Sequence, residues 1–156
     1  MNDQKDFEEF FALLTRERVK FLLVGGYALA YHGHPRYTGD VDIFVEASIT
    51  NARRLMNTVE KFGFKNTGIA QEDLLQKDKI IQLGYPPNRI DIIASIDGIE
   101  FKDGWKNRIK DKFGSQSVFV ISRKDLIKNK RTSGRPRDLL DLELLEKPIT
   151  KKRQRN

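Results

Sequence analysis

Residues 24–48 read VGGYALAYHGHPRYTGDVDIFVEAS, and the second half of that stretch decides the fold. Val41, Ile43, Phe44 and Val45 form an apolar run, with Asp40 and Asp42 set into its start. Residues two apart in a strand point the same way, so both carboxylates face one spot. Like charges held side by side repel and call for a counter-charge. The first half reads as the end of a buried strand, VKFLLV (19–24), closed by Gly25-Gly26. YALAYHG then suits a short helix beginning directly after the glycines, and Pro35 and Gly39 punctuate a loop. Strand, glycine pair, short helix, loop and acid-bearing strand is therefore the unit around which the rest is placed.

Outward from it, Phe7, Phe10, Phe11 and Leu14 fall at i, i+3, i+4 and i+7. That spacing predicts an amphipathic helix from Asp3 to about Glu17. Ala52, Leu55, Met56, Val59 and Phe62 predict a second helix, ended by Gly63. KIIQLG (79–84) and RIDIIAS (89–95) read as strands joined by the turn YPPN, an antiparallel hairpin. FKDGWKNRIK is expected as helix and QSVFVIS (116–122) as a last strand. Ser122 is placed to cap a helix running to about Lys130. SGRP breaks the chain before a leucine-rich helix, DLLDLELLEK. The expected architecture is an α/β (α+β) domain, a mixed sheet of about five strands flanked by helices.

At 156 residues the chain is long enough for one domain with a real core. It has no cysteine, which excludes disulfides and thiolate metal sites. No apolar run approaches the roughly 18 residues of a membrane span, and the charged, phenylalanine-rich start is unlike a signal peptide. A soluble, cytoplasmic protein with no membrane partner is expected. The net charge is +7, from 29 Lys and Arg against 22 Asp and Glu. Five of the basic residues lie in the last ten, KPITKKRQRN, with no acid, so the body is nearly balanced. The expected division is a domain over residues 1–146 and a solvated, disordered basic tail over 147–156.

Three pieces carry chemistry. Glycines at a helix start let backbone N–H groups approach an anion, as Gly25 and Gly26 do here. Asp40 and Asp42 form the second piece, and Asp91, the acid inside Ile90-Asp91-Ile92-Ile93, the third. Three carboxylates beside a phosphate-sized anion site suit magnesium, which takes carboxylate, water and substrate-phosphate oxygens. Two such ions can stabilise the attacking and leaving oxygens of an in-line displacement.

The run GGYALAYHGHPRYTGDVDIFV resembles the nucleotidyltransferase superfamily that includes DNA polymerase β. It is most similar to the short, single-domain members of bacterial toxin–antitoxin and abortive-infection systems. The matching positions are Gly25, Gly26, Ala28, His32, Gly33, Arg36, Thr38, Asp40 and Asp42. Further on they are Lys128 or Lys130, Gly134-Arg135-Pro136 and the acidic-leucine helix from Asp138. The resemblance implies a magnesium-dependent transfer of NMP, AMP first, from an NTP to a hydroxyl on tRNA, a partner protein (toxin or antitoxin) or a small molecule. It implies two magnesium ions held by Asp40, Asp42 and Asp91. Gly25, Gly26, Arg36, Thr38, Lys128 and Arg135 would hold the nucleotide. Where many members carry serine after the first glycine, this chain has Gly26 and then Tyr27.

Other readings stay open at this point. Taken alone, Asp40 and Asp42 suit acids paired with Arg36 or Arg89, and Asp91 suits a partner of Arg89. His32 and His34 read as packing or helix-end residues rather than metal ligands. A chain that sequesters a partner in the manner of an antitoxin, with the nucleotide site vestigial, is the alternative of another class. A third is an RNA-binding module acting through the basic tail.

Overall fold

The computed structural model describes residues 3–35, 39–64, 68–85 and 88–147. It holds a mixed sheet of six strands in the order β3-β4-β2-β1-β6-β5. The strands are β1 (Phe21–Val24), β2 (Val41–Val45), β3 (Ile80–Leu83), β4 (Ile90–Ile93), β5 (Ile109–Phe113) and β6 (Gln116–Val120). Six helices accompany them: α1 (Asp3–Arg16), α2 (Gly25–Tyr31), α3 (Ile49–Lys61), α4 (Phe101–Lys106), α5 (Arg123–Ser133) and α6 (Pro136–Glu146). Among the described residues no helix is long and apolar enough to cross a membrane. The Arg36 and Thr38 positions and the basic tail beyond Lys147 lie outside the described residues.

The helix spacing read from the phenylalanines is the packing face of α1. Phe7, Phe10, Phe11 and Leu14 are all buried, and Phe11 stacks on Phe21 of β1 with ring centroids 5.7 Å apart. Burying one such side chain contributes about 1.5–3 kcal/mol, so this stripe alone is a large share of what orders the helix. α3 starts where Ser48 Oγ accepts from the Asn51 amide at 3.1 Å. The buried Asn51 side chain then bonds Lys20 N, Lys20 O and Glu46 O, tying this helix to the outer ends of β1 and β2. Ser122 caps α5 in the same way, accepting from Asp125 N at 3.1 Å. Gly134, at φ 64, ends α5, and Pro136 opens α6.

The expected hairpin is present, with β3 and β4 antiparallel and Gln82 opposite Asp91. The sheet has six strands where about five were expected. FKDGWKNRIK does not continue as helix; α4 stops at Lys106, and Ile109–Phe113 pairs antiparallel with β6. The reason is local. β5 is an edge strand in which only Phe113 is buried, so charged residues hide the alternation that marks a half-buried strand. Arg108 packs its guanidinium 4.0 Å above the Trp105 ring, fixing the corner between α4 and β5.

Candidate active site

The register of the central strands builds the site. β1 and β2 run antiparallel with Val24 opposite Asp42, while β2 and β4 run parallel with Asp42 opposite Asp91. The acid-bearing end of β2 therefore lies between the glycine end of β1 and the acid of β4. Gly25 follows at φ 68, a backbone region that costs a residue with Cβ. A Cβ there would also fall 2.2 Å from Asp42 Oδ2, so both conformation and space demand glycine. The chain folds back against its own carboxylate, which is why the glycine pair and the acids belong to one site.

Asp40, Asp42, Asp91, Gly25 and Gly26 line one cavity of about 600 Å³. Directly before β4 comes Arg89, whose Nε donates to Asp91 Oδ1 at 2.7 Å and Nη2 to Asp91 Oδ2 at 3.1 Å. Its Nη2 also lies 3.4 Å from Asp40 Oδ2, and its backbone N–H donates to Asp40 Oδ1 at 3.0 Å. Arg89 is thus the counter-charge to two of the three acids, a pairing the sequence left open. It leaves Asp42 without a guanidinium. Burial, reinforced by the charge and hydrogen bond of Asp91 and the charge of Asp40, pushes the Asp42 carboxyl up to about 7, with Lys130 acting the other way.

Further lining comes from α5, α6 and the turn between them. Lys130, Arg135, Arg137 and Asp138 line the cavity. Lys130 is buried, and its Nζ lies 3.0 Å from Asp138 Oδ1 and 3.1 Å from Asp141 Oδ2. Arg135 Nε donates to Asp138 Oδ2 at 3.0 Å while most of its side chain stays exposed. Lys128 departs from expectation: it is exposed and faces a second cavity, with Lys130 in the first. Helix phase explains the exchange. Leu126 is buried in α5, so the residue four further on shares its inward side and the residue two further on does not. That signal was legible in the sequence.

His32 Nε2 donates to the Ile121 carbonyl at 2.7 Å, and burial lowers its pKa. It acts on β6 rather than on the acids. Among the described residues no three His, Asp or Glu side chains form a preassembled metal cage. The Arg89 guanidinium lies within ion-pair distance of both Asp40 and Asp91. The donor set nevertheless fits magnesium, which is bound through one or two carboxylates, waters and phosphates rather than an all-protein cage. A half-buried carboxyl with its pKa near 7, directly opposite a second acid, is a concentration of negative charge that a hard cation relieves.

Sheet and helices together define the fold of a nucleotidyltransferase. A crystal structure of the lincosamide antibiotic adenylyltransferase LnuA, lincomycin-bound, matches with a TM-score of 0.58 at 17% identity, over 91% of this chain and 95% of that one. No curated protein matches the chain. Residues 5–149 match the family described as "Nucleotidyltransferase of unknown function (DUF6036)", and the chain belongs to that family.

Proposed function

We propose that the protein is a magnesium-dependent nucleotidyltransferase that transfers AMP from ATP to an acceptor hydroxyl. The observation that carries this is the convergence of Asp40, Asp42 and Asp91 with Gly25 and Gly26 on one cavity walled by Lys130, Arg135 and Arg137. A lining that holds both carboxylates and cations suits a triphosphate with its metal ions. Asp40, Asp42 and Asp91 would hold magnesium, which when bound neutralises the phosphates and makes the acceptor hydroxyl easier to deprotonate.

Gly25, where a side chain would collide with Asp42, and Gly26 present bare backbone to the cavity beside the acids, where phosphate oxygens would bind. Arg135, exposed and only partly engaged by Asp138, is free in geometry to turn toward the β- and γ-phosphates. Arg89 would exchange its carboxylate partners for phosphate or solvent as the cations enter. The acceptor oxygen forms its bond to the α-phosphorus, the bond to the β-phosphate oxygen breaks, and pyrophosphate leaves. The hydroxyl proton passes to solvent or to Asp91, the acid opposite Asp42.

The test is incubation with magnesium and each α-labelled NTP in turn, with RNA and lysate protein as acceptor pools, beside Asp42→Asn. Label retained on an acceptor from ATP, and lost in the variant, is the expected result. Equal labelling by the variant would remove Asp42 from the chemistry and the reading with it.

A further inference from the structure

A second cavity, also about 600 Å³, opens between α4 and α5. Its lining carries five cations: Lys106, Arg123, Lys124, Lys128 and Arg131. Against them stand Asp103 and Asp125, and Asp125 is buried and accepts from Asn107 Nδ2 at 3.2 Å. Arg131 is paired with Glu146 at 2.7 Å. Among the described residues Lys106, Lys124 and Lys128 make no ion pair, and the first two, like Lys128, are exposed. Arg123 spends Nη2 on the Leu145 carbonyl and keeps a buried Nε with no hydrogen-bond partner.

Lys124, Lys128 and Arg131 stand at i, i+4 and i+7, one outward face of α5, about 6 Å apart per step of four along the axis. A row of cations at that interval suits successive phosphates of a strand better than a single small anion. The row also leads somewhere. Arg131 lines the second cavity, while Arg135, one turn further, and Arg137 line the first. A strand laid along α5 and over the α5–α6 turn passes from one cavity to the other.

We propose that this basic groove binds the phosphate backbone of an RNA strand and delivers its terminal hydroxyl to the carboxylate cavity. The inference rests on the nucleotidyl-transfer reading above and names its acceptor class. An acidic protein segment is the other occupant such charge would attract, but it offers no regular row of charges to match.

The experiment measures binding of a labelled single-stranded RNA across a salt series, by the full chain and by Lys106→Gln/Lys124→Gln. Both proteins keep residues 147–156, so the tail contributes equally. Two lost phosphate contacts should reduce the slope of log affinity against log salt by about 1.4 and weaken binding on the order of tenfold at physiological salt. Labelled transfer to RNA should fall in parallel. An unchanged slope and affinity overturns the proposal, as does a variant that binds RNA normally but loses transfer to a protein band. Stabilisation by magnesium and ATP reads the first cavity separately and should be equal in both proteins. Its absence from both would sink the nucleotidyl-transfer reading, while the salt slope still judges the groove.

Discussion

Arg89 is the residue on which the carboxylate site turns. It bonds Asp91 twice and approaches Asp40, so it supplies positive charge to two of the three acids. Arg89→Gln should therefore melt at a lower temperature than the parent in EDTA, because Asp40 and Asp91 lose their counter-charge. Magnesium should then raise its melting temperature by more than it raises the parent's. Calorimetry with and without magnesium checks both signs, and a smaller magnesium effect in the variant would show that Arg89 is not standing in for the ions. Asp42 supplies a pH dependence. Its carboxyl is raised to about 7 in the folded protein, from an ordinary value of 3.8. A raised acid pKa means that the folded state holds the proton longer, so stability is lost as pH climbs from about 4 through 7. The penalty on the charged form is roughly 4 kcal/mol when complete. Asp42→Asn removes it, so in EDTA its melting temperature should exceed the parent's by about 5 °C or more at pH 8. The gap should close toward pH 4, and a gap independent of pH would contradict the burial and repulsion assigned to this carboxyl. Asp42 of β2 and Asp91 of β4 were legible in the sequence as breaks in apolar runs, and Asp40 as the acid two residues before Asp42. Arg89 was legible only as a competing partner, since the sequence does not fix which of two arginines reaches across the strand end.

At the scale of elements, the joint between α5 and α6 is held by a buried lysine between two buried acids. Lys130 Nζ touches both Asp138 and Asp141, fixing the α6 wall of the cavity against α5. Removing one partner of such a group leaves uncompensated buried charge. Lys130→Ala should lower unfolding stability by about 3 kcal/mol, measured by urea denaturation at pH 7. A loss under about 0.5 kcal/mol would mean that the lysine is not what joins the helices. Activity should fall as well, because Arg135 and Arg137 lie on the wall that moves. This joint could be anticipated from Leu126, whose inward side fixes the phase of Lys130. The β5 strand could not be read in the same way. In Ile109-Lys110-Asp111-Lys112-Phe113 one face of an edge strand meets solvent along nearly its whole length, so charge replaces the apolar alternation on which strand reading depends. Its assignment comes from tertiary pairing, with Lys110 opposite Phe119 and Phe113 opposite Gln116.

Over the whole molecule, charge is sorted by place rather than spread. One cavity, at the end of the central strands, mixes carboxylates with cations, and a second on α5 is predominantly basic. A net charge of +7 alone would not have separated these, because it counts the tail with the body. On the magnesium-dependent reading proposed above, a ligand that brings cations to Asp40, Asp42 and Asp91 should stabilise the fold as a whole. Magnesium with ATP at 100 times the dissociation constant would contribute about 2.7 kcal/mol by mass action. For a domain of this size that is a rise in melting temperature of roughly 5–10 °C. Magnesium alone should give a smaller rise, and ATP with EDTA a smaller one still, because the triphosphate adds negative charge beside Asp40 and Asp91. The full shift should vanish in Asp42→Asn, whose amide cannot replace a carboxylate as a ligand for a hard cation. If ATP in EDTA stabilised the parent as much as magnesium with ATP, the nucleotide would be bound by the cations of α5 and α6 alone. Asp40 and Asp91 would then be partners of Arg89 rather than of metal.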